Sequence, residues 1–237
     1  MLVPPVMPRC AHVVGVAGVV EEVVGAAEEV AEETSFASCN SSKTECTITG
    51  TIDKDYTMVA GVEYRLDGVV KVGDGNVEIT SQAEYDAVVA AGVTLTIRAG
   101  VDVKAFSDGV LLVTRGSKLI ANGSPASPIT FSSIDPDYDG TGEWGGVIVQ
   151  GFAPQYGQGG TGACFADGEA WCNVLGEGGD FVQEYGGSNP ADDSGIIRYV
   201  RIAEGGLIAG PNNEINGLTL QGVGHETLID YVQVHGN

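Results

Sequence analysis

The sequence predicts an all-β solenoid wound from short strands, and three observations predict it. Short Val/Ile/Leu runs alternate with glycine-marked corners from Thr49 onward. The strand-glycine unit recurs every roughly 15–20 residues, the low edge of solenoid repeat lengths. The third is the stretch 93–105, "VTLTIRAGVDVKA", in which Val93, Leu95, Ile97, Ala99, Val101, Val103 and Ala105 are apolar and every residue between them is polar or glycine. A period of two is a β-strand with one buried face. Unbroken, it would span roughly 43 Å, far beyond the usual strand. The chain must therefore reverse or bend near Gly100. A hairpin with Ala99-Gly100 as its loop sets Ile97 against Asp102 and Leu95 against Lys104, which puts charges opposite core residues. A three-residue loop pairs Ile97 with Val103 but leaves Val101 at an exposed tip. A corner without reversal keeps the aliphatic residues inside. Strands that bend in one rotational sense stack as parallel sheets around one interior, right-handed by the usual crossover preference.

Along the chain, residues 1–47 read as an acidic helix and linker. Val20, Val23, Val24, Ala27, Val30 and Ala31 share one helical face, and a frayed acidic tail is the alternative. The opening "MLVPPVMPRCAHVVGVAGVVEEVV" is a poor export signal, because Glu21 and Glu22 interrupt its apolar run, and a mis-assigned start would explain it. The solenoid domain is expected over 48–237, with strand segments in "YRLDGVVKVGDG", "GVLLVTRGSKLIANG", "SPITFSS", "WGGVIVQG", "SGIIRYVRIAEGG", "NGLTLQGVG" and "TLIDYVQVHGN". One helix interrupts the strands near 82–91, where Ser81 and Glu84 form a capping box ahead of Gly92. In "IIRYVRI", Arg198 and Arg201 stand three apart and would face opposite ways on a flat strand. That strand should bend, or bury one arginine. The chain stops in strand-like sequence, which reads as a C-terminal truncation.

Charge narrows the partners. With 32 acidic and 11 basic residues the formal net charge is −21, so nucleic acid would be repelled. High salt, divalent cations and simple solubility all remain open. No run approaches the length of a membrane-spanning helix. The cysteines are Cys10, Cys39, Cys46, Cys164 and Cys172. Two close pairs in polar loops read as local disulfides, Cys39–Cys46 and Cys164–Cys172, which would place the protein in an extracellular, periplasmic or outer-surface setting; four free thiols in a cytosolic protein are the alternative. Cys10 is left over.

The segments "VTLTIRAGVDVKA", "LLVTRGSKLIANGSPASPITFSS" and "EWGGVIVQG" resemble right-handed parallel β-helix proteins of the pectin-lyase-like group, and more narrowly a secreted or lipoprotein-type bacterial family of unassigned function. "YGGSNPADDSGIIRYVRIAEGG" and "NNEINGLTLQGVGHETLIDYVQVHGN" resemble later coils of that family. The fold hosts lyases, hydrolases, adhesins and inert stalks, so the resemblance fixes architecture and leaves chemistry open.

Candidate sites follow from residue type and spacing. Asp135, Asp137 and Asp139 alternate before Gly140, with Glu143 at a ninth position, as in the opening of a calcium loop; the twelfth-position glutamate is replaced by Gly146. An acidic turn is the alternative. Asp192, Asp193, His225 and Arg198 are the catalytic candidates, by likeness to β-helix hydrolases with paired aspartates and to lyases with a proton-abstracting arginine. Arg98, Arg115 and Arg201 read, like Arg198, as mostly outward-facing. Trp144, Tyr156, Trp171 and Tyr185 lie in or beside long loops, where aromatic rings can stack on sugars, though the plainer and preferred reading is that Trp144 packs the base of its loop. The expected function is a non-catalytic extracellular or cell-surface protein that binds a glycan or partner through loops on one side. No cofactor is required, though calcium is a candidate. A polysaccharide lyase or glycoside hydrolase, and a structural stalk or passenger segment, are the alternatives.

Overall fold

The computed structural model describes residues 34–137, 140–155, 171–211 and 213–237. The N-terminal helix and Cys10 lie outside these residues, as do Asp139, Tyr156 and Cys164.

The corner at Gly100 is present. Strands β1 to β6 are Ala37–Cys39, Glu45–Ile52, Tyr56–Met58, Glu63–Val72, Thr94–Ile97 and Asp102–Ala105. Helix α1, Gln82–Ala90, falls between β4 and β5. Strands β5 and β6 flank Gly100 and do not pair with each other. Instead β5 pairs in parallel with β3, and β6 with β4. Gly100 has φ +80°, and Val101 N–H donates to Arg98 O at 3.3 Å, a four-residue turn with glycine at its third position. The aliphatic residues on both sides are buried: Leu95, Ile97, Val101, Val103 and Ala105.

Repetition of that corner builds a right-handed parallel β-helix with three sheet faces. The remaining strands of its main sheet are β7 (Val110–Val113), β8 (Lys118–Asn122), β9 (Ile129–Ser133), β10 (Gly146–Gln150), β13 (Gly195–Ala203), β16 (Leu218–Gln221) and β17 (Leu228–His235). Two short antiparallel pairs lie outside it: β11 (Val174–Leu175) with β12 (Glu184–Tyr185), and β14 (Ile208–Gly210) with β15 (Asn213–Glu214). The first face stacks β3, β5, β8 and the opening halves of β13 and β17. The second stacks the opening halves of β2 and β4, then β6, β9 and the closing halves of β13 and β17. The third stacks the closing halves of β2 and β4 with β7, β10 and β16. Because β4 and β13 run across a corner, the faces join into one 13-stranded sheet.

Register turns each coil's alternation into a column. On the second face Cys46, Tyr64, Val103, Phe131, Ile202 and Val234 stand above one another. The first five are buried, whereas Val234, on the terminal strand β17, is 45 % exposed. Each such aliphatic side chain contributes about 1.5–3 kcal/mol when covered on both sides by its neighbours. The expected bend in "IIRYVRI" is also present. Tyr199 takes φ +49° in mid-strand, which resets the alternation so that Arg198 and Arg201 both face outward while Ile197, Val200 and Ile202 stay inside.

Cys39 and Cys46 form the expected disulfide across the antiparallel β1–β2 pair. Cys172 is also disulfide-bonded, while its expected partner Cys164 falls outside the described residues. Closing a loop of sequence separation 7 stabilises by about 2.5 kcal/mol in the chain-entropy account. Cys39→Ser should therefore lower the denaturation midpoint by an equivalent amount, read in urea melts. An unchanged midpoint would mean that this end of the coil adds nothing to the cooperative unit.

Candidate functional site

Loops enter and leave the third face on both edges, and they make this side of the coil different from the other two. Strands β7 and β10 are buried on both surfaces. Inward, Leu111, Val113, Val147 and Val149 join the main core; outward, Val110, Leu112 and Ile148 form a second cluster with Val182 and Ile215, against which Val69 and Phe181 pack. The segment 174–186 thus lies over part of this face. Side-chain amides pin it. Asn76 Nδ2 donates to Phe181 O and Val182 O at 3.0 and 3.2 Å, and Gln150 Nε2 to Val182 O at 3.0 Å. Gln221 Nε2 donates to Glu177 O at 3.0 Å.

Beside this cover run three clefts that share lining residues. The first, about 380 Å³, lies under helix α1 between Thr51, Asp53, Asp74 and Ser117 on the coils and Ala87, Val88 and Ala91 on the helix. The helix is held at its start by Ser81, whose Oγ accepts from Glu84 N–H. Glu84 reaches back to the N–H and hydroxyl of Thr80, one residue earlier than a capping box requires, and those bonds hold its carboxyl below the usual range. The second cleft, about 320 Å³, shares Thr51 and Asp74 with the first and adds Lys71, Asn76, Phe181 and Gln183. The third, about 390 Å³, shares Gln183 with the second and adds Leu175, Asp180, Glu184 and Asn213. Volumes of this size suit small-molecule or sugar units. The lining sets carboxylates, hydroxyls and amides among the apolar surface of Ala87, Val88, Val69, Phe181 and Leu175, and Lys71 is tied to Asp74 by an ion pair.

Arg115 anchors the neighbourhood, contrary to its reading as an outward-facing residue. It is 1 % exposed, and its guanidinium donates to the carbonyls of Gly75 (3.2 Å), Gly186 (2.7 Å), Cys172 (3.5 Å) and Val77. Burial lowers its pKa to about 10, which leaves it charged at neutral pH. The side chain ties the chain before α1 to the chain flanking β11 and β12. Nothing in "TRGS" distinguishes it from a solvated corner arginine, because the carbonyls it meets come from far along the sequence.

The catalytic candidates do not form one constellation. Asp192 and Asp193 diverge. Asp192 is 8 % exposed; burial raises its pKa, and its carboxylate accepts from Ser194 Oγ at 2.9 Å. Asp193 pairs with Lys118 Nζ at 2.6 Å and accepts from Gly195 N–H, bonds that lower its pKa. Arg198 sits 3.5 Å from Asp230 and against the rings of Tyr199 and Tyr231, which stack on one another at 4.5 Å. His225 is exposed, and its backbone N–H donates to Pro190 O.

Among the aromatic candidates, Trp144 is wholly buried and its indole N–H donates to Ala203 O at 2.7 Å, so neither ring face is open to a sugar. Tyr185 is buried too, and that burial pushes its phenol up to about 12. Trp171 is half-buried against Tyr85, which also packs on Phe152. Of the calcium candidates, Asp135 and Asp137 are exposed and Glu143 is half-buried; Asp137 N–H donates to Asp135 Oδ1 at 3.1 Å, the internal bond of an acidic turn. Among the described residues no three His, Cys, Asp or Glu side chains form a group that could hold a metal ion. Nor is any described helix long and apolar enough to cross a membrane.

No curated protein and no solved structure matches the chain. The model of the pectate-lyase-like β-helix domain family matches residues 76–237. With the stacked parallel coils, this match establishes that the chain belongs to the pectate-lyase-like β-helix domain family.

Proposed function

We propose that the protein is a non-catalytic, extracellular or cell-surface glycan-binding β-helix whose ligand is an extended neutral polysaccharide. The observation that carries this reading is the chain of three clefts joined through Thr51, Asp74 and Gln183. A row of linked sugar-sized clefts suits successive units of a polymer better than one compact molecule. Hydroxyls and amides hydrogen-bond to sugar hydroxyls. The carboxylates of Asp53, Asp74, Asp180 and Glu184, on a chain of net charge −21, oppose a polyuronate backbone. The disulfide fits an oxidising compartment.

The test is calorimetric titration with a neutral hexasaccharide and with oligogalacturonate. Thr51→Trp, which places an indole between the first two clefts, should weaken hexasaccharide binding by about tenfold or more, roughly 1.4 kcal/mol, without shifting the melting temperature. Unchanged binding in that variant, or a preference for oligogalacturonate, would overturn the proposal. Release of new reducing ends during the titration would replace it with a hydrolase.

A further inference from the structure

Glu204 stands at the corner between the second and third faces, one residue after β13, and nothing in its sequence surroundings marks it. Its side chain is fully buried. One carboxylate oxygen, Oε2, accepts from Ser133 N–H at 3.2 Å; the other, Oε1, is buried with no hydrogen-bond partner. A buried carboxylate oxygen left without a donor or cation costs on the order of several kcal/mol. The residue also holds φ +65°, a conformation unfavourable to a glutamate.

The acidic loop that follows β9 is closed onto this residue. Ser133, at its start, donates to the Glu204 carboxylate, and Glu143, near its end, donates from its backbone to Glu204 O at 2.8 Å. Asp135 and Glu143 are consequently close enough to push the Glu204 pKa up beyond what burial does, against the opposing effect of Lys104. Lys104 Nζ itself donates to Ser132 Oγ at 2.9 Å. The Glu143 carboxylate occupies space that only a glycine leaves, since a Cβ at Gly140 would lie 1.6 Å from Glu143 Oε1. Gly236, on the terminal coil, lies against both Gly140 and Glu204: its Cβ would be 2.9 Å from Gly140 O and 3.6 Å from Glu204 N.

We propose that this corner binds a calcium-like divalent cation, with Glu204 Oε1 as the buried ligand and Glu143 as the second carboxylate. Calcium takes six to eight oxygens, including backbone carbonyls and water, so two carboxylates suffice to seed a site without a three-carboxylate cluster. Asp135, exposed and held beside Ser133 by its N–H donating to Ser133 Oγ at 3.1 Å, adds attraction. The cation satisfies the orphaned oxygen and relieves the repulsion among the three acidic groups. The site is independent of the clefts beside α1.

The experiment uses the full chain stripped with chelator and titrated with CaCl2, followed by calorimetry and by thermal melting. One binding heat and a rise in melting temperature are expected. Glu204→Gln, which keeps the shape and removes the charge, should weaken calcium binding by about tenfold or more, and Glu143→Gln several-fold. Absence of any calcium heat would overturn the proposal, because a proton or a water then fills the place. So would unchanged affinity in a folded Glu204→Gln protein. Should that variant not fold, Glu143→Gln and Asp135→Asn decide, and calcium affinity unchanged in both would overturn it equally.

Discussion

Replacing Arg115 with methionine is expected to destabilise the protein by about 3–5 kcal/mol, the cost of breaking a buried charged network from one side. Methionine fills much of the volume but donates nothing to the carbonyls of Gly75, Val77, Cys172 and Gly186, which stay buried. Lysine should rescue little. Its single ammonium cannot present the planar fork that reaches several carbonyls at once. Because those carbonyls lie on the segments before α1 and around β11–β12, amide exchange in 73–79 and 172–186 should accelerate more than in β5 or β8. Neutral hexasaccharide binding should fall with it, since both segments line the clefts. A loss below about 1 kcal/mol in urea unfolding would show that water replaces the guanidinium without penalty.

The second large effect is expected from Gly195→Ala. Gly195 opens β13 with φ +111°, and a Cβ there would lie 2.2 Å from Leu119 O and 2.8 Å from its carbonyl carbon. Both contacts are backbone, and that backbone belongs to the strand below, so neither side can yield without moving a coil. A loss of about 3 kcal/mol or more, or failure to fold, is expected. Gly100→Ala is the control. That residue also has positive φ, but its Cβ would meet only Ser127 Cβ at 3.5 Å, an ordinary contact. Its cost should stay near the 1–2 kcal/mol of a left-handed residue with a side chain. Equal losses in the two variants would mean that coil spacing is soft enough to absorb a methyl group.

The contrast between these glycines shows where legibility in the sequence ends. Alternation around Gly100 spoke against a two-residue hairpin, which would set charges against Ile97 and Leu95, and the recurrence of strand-glycine units along the chain then favoured a corner. Spacing of Arg198 and Arg201 called for a bend or a buried arginine, and Tyr199 supplies the bend. Helix α1 was legible through Ser81 and Glu84, with the reciprocal bond displaced to Thr80. Gly195 gave no comparable sign, since its demand comes from Leu119, on another coil.

The same limit applies to the candidate site. Aspartate pairs, a histidine and loop aromatics were visible as residue types, but Asp192 turned inward, Asp193 found Lys118, and Trp144 went wholly into the core. Arg115 was read as outward-facing and Glu204 was passed over, because a buried arginine and a buried glutamate look like surface residues until the coils are stacked.

The sequence by itself determined the coil: period-two alternation and glycine corners are local, and each can be checked within a dozen residues. Only the tertiary structure decided which loops meet over the third face, which polar groups are buried there, and where clefts open beside them. Those outcomes depend on contacts between residues such as Asn76 and Val182 or Ser133 and Glu204, far apart in the chain, and no local pattern encodes the register that brings them together.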